Sequence, residues 1–246
     1  MITGIADIQE AYRDDAVARR YVAARFEQPL GALLHARQAA YLIREIRRRQ
    51  PAKVLEIAPG PARLTTDVAA ATGVRPTLVD ASRQMLAEAA QRMAARGLAA
   101  RCIHGDAFSL PFGRQFDCVY SFRLIRHFGD SDRRRLYSEI QRVLRPGGFV
   151  VFDAVNEVIS SPIRRADPAS HQHYDALFTR NGLIGELQAA GFRVLDLHGV
   201  QHHYGILRRL QVFAAPRSAA LARAAMELVD RLGGRPLEWI VMCQPA

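Results

Sequence analysis

The hydrophobic positions of this chain follow two periods, one typical of strands and one typical of helices. Short apolar runs bounded by turn residues predict strands at 53–58, 75–80, 100–104, 116–121 and 148–154. Between these runs, apolar residues recur every three or four positions, as in Met85, Leu86, Ala89 and Met93, which would share one helix face. From residue 53 to residue 154, strands and helices are therefore predicted to alternate.

The predicted helices also carry signals at their ends. A helical pattern covers 8–49 and is interrupted near Gln28 and Pro29, because proline disfavours helix in the residue before it. Ser82 and Ser131 are predicted to cap two later helices, since a serine hydroxyl can accept a hydrogen bond from an unpaired backbone N–H at a helix start.

Regular alternation of strands and helices predicts an α/β fold with a doubly wound, mostly parallel, Rossmann-like sheet. A polar, histidine-rich connection at 155–180 breaks the alternation, and we interpret it as a lid insertion. The chain then resumes with a helix, a strand, a helix and a strand, predicted at 181–190, 192–198, 218–232 and 237–244. We expect a seven-stranded single domain, with an N-terminal helical cap (1–50), a cofactor-binding core (51–155), and the lid with the C-terminal half of the sheet (156–246).

Composition narrows the class of protein. The chain has 246 residues, 49% of them hydrophobic, and no apolar run approaches the length of about 18 residues that a membrane-spanning helix needs. The N-terminus lacks a basic region followed by an apolar stretch, so we expect a cytoplasmic protein without a membrane partner. Cys102, Cys118 and Cys243 are odd in number and widely spaced, which predicts buried free thiols and neither a disulfide framework nor a C-x-x-C metal site.

The net charge of +10 does not by itself predict a nucleic-acid ligand. Lys53 is the only lysine, so arginine supplies the other basic residues, a bias typical of a GC-rich genome. Acidic residues are interspersed among the arginines, and the densest basic runs, 47–49 and 133–135, fall on predicted helices. Nucleic acid is therefore not the expected partner.

Three carboxyl ends of predicted strands bear polar residues. Asp80 ends the second strand, 20 residues after Gly60, where its carboxylate can accept hydrogen bonds from both hydroxyls of a ribose. Asp106 follows the third strand and Ser121 ends the fourth. Because the carboxyl ends of parallel strands meet at one edge of the sheet, these residues are expected to face one crevice.

Several segments in this order resemble the class I S-adenosylmethionine-dependent methyltransferases, especially the small-molecule branch known as type 11. The segments that carry the resemblance are "VLEIAPGPARLT", "LVDASRQML", "GDAFSLPF", "FDCVYSFRLIRHF" and "EIQRVLRPGGFVVFD". The resemblance covers residues 50–155 and implies S-adenosylmethionine as the cofactor.

The resemblance also implies roles for individual residues. Glu56 would contact the amino group of the cofactor, directly or through water, and the backbone around Ala58 and Gly60 would hold its methionyl part. Asp80 would bind the ribose. The residues implied around the adenine and the sulfonium are Ala81, Met85, Asp106, Ala107, Ser121 and Phe122.

The first motif departs from the family pattern. Ala58 and Ala62 stand where the family has the first and third of three alternating glycines. We expect Ala58 to be tolerated with a negative φ, Ala62 with a slightly larger distance between helix and sheet, and Pro61 at the first position of the helix. A dinucleotide loop is less well supported, because G-x-G-x-x-G would need glycine at Ala58 and Arg63.

The sequence defines the residues that would bind the methyl acceptor less well than those that would bind the cofactor. The segment "SFRL" replaces the acceptor motif of enzymes that methylate nucleic-acid amino groups, so a small molecule with a hydroxyl, an amine or an activated carbon is the expected acceptor. Arg123 and His127 lie four positions apart and would share a helix face, where they could bind an acidic acceptor and remove its proton. The alternative is that His127 ends a helix and Arg123 is a solvated charge.

Other aromatic and histidine residues leave alternatives open. Tyr12, Tyr21 and Arg25 would either close over the cofactor or serve as ordinary core and surface residues. The histidine clusters outside the predicted core contain His171, His173, His202 and His203, which would line an acceptor pocket, and no metal is expected.

The leading hypothesis is thus transfer of a methyl group to a small-molecule acceptor. A methyltransferase-like binding or regulatory protein without activity is the alternative, motivated by the altered glycine loop. An RNA methyltransferase, motivated by the charge, ranks third. The oligomeric state is left open.

Overall fold

The computed structural model describes residues 28–168 and 174–246. Its strands are β1 (Val54–Ile57), β2 (Thr77–Asp80), β3 (Arg101–His104), β4 (Phe116–Ser121), β5 (Leu144–Asn156), β6 (Leu177–Phe178), β7 (Phe192–His202) and β8 (Pro236–Pro245). Its α-helices are α1 (Pro29–Arg49), α2 (Arg63–Thr72), α3 (Arg83–Ala94), α4 (Asp130–Val143), α5 (Glu157–Ala166), α6 (Arg180–Ala189), α7 (Tyr204–Arg209) and α8 (Ala219–Arg231). A 3₁₀ turn covers Ile125–His127, and a π-helical turn covers Leu210–Ala214.

The strands form one sheet in the order β3-β2-β1-β4-β5-β8-β7, with the two-residue β6 paired to β5. Neighbouring strands from β3 to β5 run parallel, whereas β8 is antiparallel to both β5 and β7. The predicted mostly parallel α/β sheet is confirmed. The order reverses between β1 and β4, and ligands of doubly wound sheets bind beside such a reversal at the carboxyl ends of the strands.

Helices cover both faces of the sheet because the central strands are apolar on both faces. In β4, Val119 packs into the cluster that contains α4, while Cys118 and Tyr120 face the cluster that contains α1. The same alternation in β1 sends Leu55 to the first cluster and Val54 to the second. Apolar packing on both faces of the sheet thus fixes the position of the strand ends that carry the predicted site residues.

Some local predictions are corrected by the structure. Ser82 accepts the Met85 N–H as predicted, but Ser131 lies inside α4, and Gly129 is the residue that precedes this helix. Pro61 precedes α2 by two residues and is not its first residue. Cys102 is exposed on β3, which lies at the edge of the sheet, whereas Cys118 and Cys243 are buried free thiols as expected.

The predicted lid region begins with the end of β5 and continues into α5, which contains Pro162. The division into cap, core and lid stays a prediction, and Tyr12, Tyr21, Arg25, His171 and His173 lie outside the described residues. Within the described ranges, no helix has the length and apolar character that would let it cross a bilayer.

Candidate active site

A cavity lies at the carboxyl ends of β1, β2 and β4, beside the reversal in strand order. The predicted cofactor residues that line it are Glu56, Ala58, Gly60, Asp80, Ala81, Met85, Asp106, Ala107 and Phe122. Arg123 and His127, predicted for the acceptor side, line the same cavity. Ser121 is not part of its lining, because it is buried and its hydroxyl donates a hydrogen bond to the Ile57 carbonyl at 2.8 Å.

Asp80 is held in place by the backbone on both sides of the cavity. Its Oδ2 accepts the Gly60 N–H at 3.1 Å, and its Oδ1 accepts the Ser82 N–H at 2.9 Å. Burial raises the pKa of Asp80, and these two N–H groups oppose the shift without cancelling it. The carboxyl therefore links the β1 loop to the start of α3 and still lines the cavity.

The loop after β1 has a left-handed backbone at three alternating positions. Ala58, Gly60 and Ala62 have φ values of +53°, +55° and +52°, all in the left-handed region. The expectation of a negative φ at Ala58 is therefore wrong, whereas the larger distance between helix and sheet expected at Ala62 stays a prediction. Alanine pays a steric cost of about 1–2 kcal/mol in this region because Cβ approaches the following carbonyl oxygen.

Substitution of Ala58 by glycine is expected to raise the free energy of unfolding by about 1 kcal/mol, because glycine adopts a positive φ without that steric cost. Urea unfolding of the two proteins measures the difference. The matched control is Ala70→Gly, an exposed position within α2, which should lower the same quantity by about 1 kcal/mol. Destabilisation by both substitutions would contradict the strain assigned to Ala58.

Glu56 lies at the buried end of the cavity. The Thr65 hydroxyl donates to its carboxyl, and the Tyr120 hydroxyl also contacts it. Burial raises the pKa of Glu56 to about 8; the Tyr120 contact opposes this shift, and the nearby Asp80 adds to it. Without a cationic ligand, this carboxyl is largely protonated at neutral pH.

The predicted arrangement of Arg123 and His127 on one helix face is wrong. Arg123 has a φ of +63°, and only Ile125–His127 form a short 3₁₀ turn. The left-handed backbone at Arg123 is stabilised by its N–H, which donates to Asp153 Oδ1 at 2.6 Å. Asp153 therefore orients the segment that carries both cavity residues.

Behind this segment is a buried network of charges that the sequence analysis missed. Arg126, 3% exposed, contacts Asp153 at 3.1 Å, Glu238 at 2.7 Å and Asp175 at 3.6 Å. Charged residues inside apolar strands, such as Asp153 in "FVVFDAVN", were a signal that a buried partner must exist. The sequence could not identify that partner, because Arg126 and Glu238 are 112 positions apart.

His127 is a second cavity residue in contact with this network. Its Nδ1 forms a hydrogen bond with the Tyr174 carbonyl oxygen at 3.1 Å and lies 2.9 Å from Asp175 Oδ1. The remainder of the acceptor side is apolar, with Phe108 and Phe128 stacked edge to face at 5.0 Å between ring centroids. The cavity thus combines apolar walls with one histidine, two arginines (Arg63 and Arg123) and the carboxyls of Glu56, Asp80 and Asp106.

The histidines of the later cluster do not line the cavity. His202 Nδ1 lies 3.1 Å from Asp230 Oδ1, and His203 precedes α7 with a φ of +53°. Among residues 28–168 and 174–246, no group of three or more potential ligands is arranged to hold a metal ion.

The fold and the cavity define a Rossmann-like protein with a ligand site at the switch point of its sheet. A family model described as "Methyltransferase domain" matches residues 54–148. This range contains every cavity segment described above. Residues 54–148 of this chain are thus similar to the methyltransferase domain family, in the segment where the sequence resembles the class I S-adenosylmethionine-dependent enzymes.

Two relatives and one solved structure extend this comparison. A probable S-adenosylmethionine-dependent methyltransferase of Mycolicibacterium smegmatis is 36% identical over 104 residues, 42% of this chain and 39% of that protein. A malonyl-[acyl-carrier protein] O-methyltransferase of Methylococcus capsulatus is 31% identical over 147 residues, 53% of this chain and 52% of that protein. The chain therefore spans about half or less of the length of these relatives.

The solved structure is magnesium protoporphyrin IX methyltransferase from Synechocystis with bound S-adenosylhomocysteine. The two folds superpose with a TM-score of 0.69 at 11% identity, over 99% of this chain and 100% of that one. At this identity the likeness shows the shared fold alone.

Proposed function

We propose that this chain binds S-adenosylmethionine and transfers its methyl group to a small-molecule acceptor. The observation that carries the proposal is one cavity lined by the β1 loop, Asp80, the Asp106 loop and His127. The order of these groups suits the parts of the cofactor. Glu56 would face the amino group, Asp80 the ribose hydroxyls, and the loop at Asp106 and Ala107 the adenine.

The residues present fit this cofactor chemically. The buried carboxyl of Glu56 suits an ammonium group, the half-buried carboxyl of Asp80 suits a pair of hydroxyls, and Met85 supplies an apolar surface for a base. The cofactor would supply an activated methyl group on a sulfonium, and the electron pair of the broken C–S bond would stay on sulfur. The protein would orient the acceptor, exclude water and, where the acceptor needs it, hold its proton.

A small-molecule acceptor is supported by the apolar walls and by the limited polar lining on the acceptor side. One relative is named for an acyl group on a carrier protein, which agrees with an acceptor of modest size in the cavity. A binding protein without activity and an RNA methyltransferase stay as alternative functions. The cytoplasmic location stays a prediction.

Calorimetric titration with S-adenosylmethionine and S-adenosylhomocysteine tests the proposal before any acceptor is known. Binding in the micromolar range, followed by incorporation of labelled methyl groups in an acceptor screen, is the expected result. If neither ligand binds, the proposed cofactor site is wrong. Cofactor binding that is lost on addition of RNA and recovered at high salt would favour the RNA alternative, since contacts with phosphates weaken with salt.

The affinity for S-adenosylhomocysteine is expected to rise roughly 25-fold from pH 6.5 to pH 8.5, because the ionised fraction of a carboxyl with a pKa of about 8 rises from about 3% to about 76%. Glu56 has a pKa of about 8 in the free protein, and an ammonium group favours its ionised form, so binding at neutral pH should release a proton. Calorimetry in two buffers of different ionisation enthalpy measures that release. The Glu56→Gln variant should bind more weakly and release no proton; equal proton release from both proteins would assign the effect to another group.

A further inference from the structure

The surroundings of His127 determine which of its ring nitrogens carries hydrogen. Two oxygen atoms face Nδ1, the Tyr174 carbonyl at 3.1 Å and Asp175 Oδ1 at 2.9 Å. A carbonyl oxygen and a carboxylate can only accept hydrogen bonds. A bare Nδ1 would place its lone pair against both oxygens, so the neutral ring carries its hydrogen on Nδ1.

Asp175 is itself fixed as a carboxylate. Burial alone would raise its pKa, but contact with His127 and the charge of Arg126 outweigh burial and hold the pKa of Asp175 well below its usual range. Arg164 on α5 binds the second oxygen, with Nη2 at 2.5 Å from Oδ2. An ionised Asp175 favours the N–H on Nδ1 and stabilises any positive charge that forms on the ring.

The other ring nitrogen is left for the ligand. Nε2 of His127 is buried and has no hydrogen-bond partner in the described part of the chain, and the His127 ring lines the cavity. A buried nitrogen with a free lone pair costs stability unless a donor reaches it. The molecule that accepts the methyl group would therefore place a hydrogen-bond donor next to Nε2.

The chemistry of possible acceptor molecules limits which group can donate this hydrogen bond to Nε2. A carboxylate acceptor has no proton to give and would place negative charge against the lone pair of Nε2. A protonated amine must lose its proton before it can attack, and it would also be drawn to carboxylates. A hydroxyl donates one hydrogen bond to Nε2 and becomes a better nucleophile as that proton leaves.

We propose that His127 is the base for a hydroxyl acceptor and that Asp175 is its positioning residue, which makes the reaction an O-methylation. This inference rests on the proposed function. The hydroxyl oxygen takes the methyl group, its proton passes to His127 Nε2, and the positive charge lost from the sulfonium appears on the imidazolium. That proton leaves to water before the next cycle.

Nitrogen-15 NMR of protein with labelled histidine tests the assignment without a known acceptor. His127 is identified by the signal that disappears in His127→Asn, and its neutral ring is measured at alkaline pH. We expect hydrogen on Nδ1 in the wild type. In Asp175→Ala, the share of the Nε2–H form preferred by free histidine should rise, because only the Tyr174 carbonyl still faces Nδ1. In Asp175→Asn, whose amide oxygen also faces Nδ1, the share should stay closer to that of the wild type.

An Nε2–H ring in the wild type would overturn the role given to His127, and an unchanged tautomer ratio in Asp175→Ala would overturn the role given to Asp175. Asp132→Ala, which removes a partly exposed carboxyl on α4 outside the cavity, is the control for general effects of the substitution. Thermal unfolding of each variant shows whether the fold is retained. Titration with S-adenosylhomocysteine is run first, so loss of the proposed function is recognised separately from a wrong tautomer.

Three matched probes then test the class of acceptor in the presence of S-adenosylhomocysteine. Phenol, benzoate and benzylamine present a hydroxyl, a carboxylate and an amine on the same ring. Phenol should shift the Nε2 signal of His127 in the direction of a hydrogen-bonded nitrogen, and it should do so less in Asp175→Ala. A larger shift with benzoate or benzylamine, or no shift with any of the three, would overturn the hydroxyl assignment.

Discussion

Replacing Asp80 with alanine is expected to weaken the binding of S-adenosylhomocysteine by at least ~100-fold. Hydrogen bonds to a charged group are worth about 1.5–3 kcal/mol each, and the proposed ribose contact contains two of them. The substitution also removes the acceptor for the Gly60 N–H and the Ser82 N–H, so the β1 loop and the start of α3 lose their link. Calorimetric titration of both proteins measures the change.

Two further variants separate the ribose contact from a loss of structure. Asp80→Asn keeps one oxygen acceptor and should lose affinity by only ~10-fold. Glu88→Gln removes one partly exposed negative charge from α3 outside the cavity and should bind within about twofold of the wild type, because solvent screens a charge that does not contact the ligand. An Asp80→Ala protein that binds nearly as tightly as the wild type would show that the ribose lies elsewhere.

The sequence predicted the sheet well because its strands are short, apolar and separated by clear helices. The strands predicted at 53–58 and 116–121 correspond to β1 and β4 within two residues at each end. The predicted start at 148 missed the first residues of β5, which begins at Leu144, because Pro146 and Gly147 are typical of turns and were interpreted as one. Pairing with a neighbouring strand outweighed that local preference.

The cofactor loop shows what a sequence cannot predict. Ala58 and Ala62 were recognised as departures from glycine, but their backbone angles depend on the turn that joins β1 to α2. Tertiary contacts, among them the Ala58 N–H to the Val79 carbonyl at 2.7 Å, hold a conformation that alanine disfavours in isolation. Sequence periodicity contains no information on such a balance.

The acceptor side was predicted only in part, for the same reason. His127 was recognised as titratable, but its partner Asp175 comes from a different segment, 48 positions along the chain. The proposed partnership with Arg123 assumed a regular helix, which the left-handed residue at Arg123 excludes. Long-range contacts, and not local spacing, determine the chemistry of this side.

The Arg126→Met substitution is expected to lower the free energy of unfolding by roughly 3–5 kcal/mol, because it leaves buried carboxylates without their cation. Asp153 and Glu238 are 1% and 5% exposed, so water cannot replace the guanidinium. The Arg126 carbonyl also accepts the Ala176 N–H at 2.6 Å, and loss of the side chain would loosen this contact beside Asp175. Chemical denaturation at several pH values measures the effect.

The loss should depend on pH with a definite sign. Burial already raises the pKa of Glu238, and without Arg126 it should rise further, so the folded protein would hold a proton that the unfolded chain releases. Stability of the variant should then fall as the pH rises above about 4, which makes the loss larger at pH 8 than at pH 5.

The double variant Arg126→Met with Glu238→Gln should recover part of the lost free energy of unfolding, because one buried carboxyl is gone. Arg135→Met, which removes an exposed arginine that pairs with the partly exposed Asp132, should cost about 0–1 kcal/mol at either pH. A similarly small loss at Arg126 would mean that the network does not stabilise the fold.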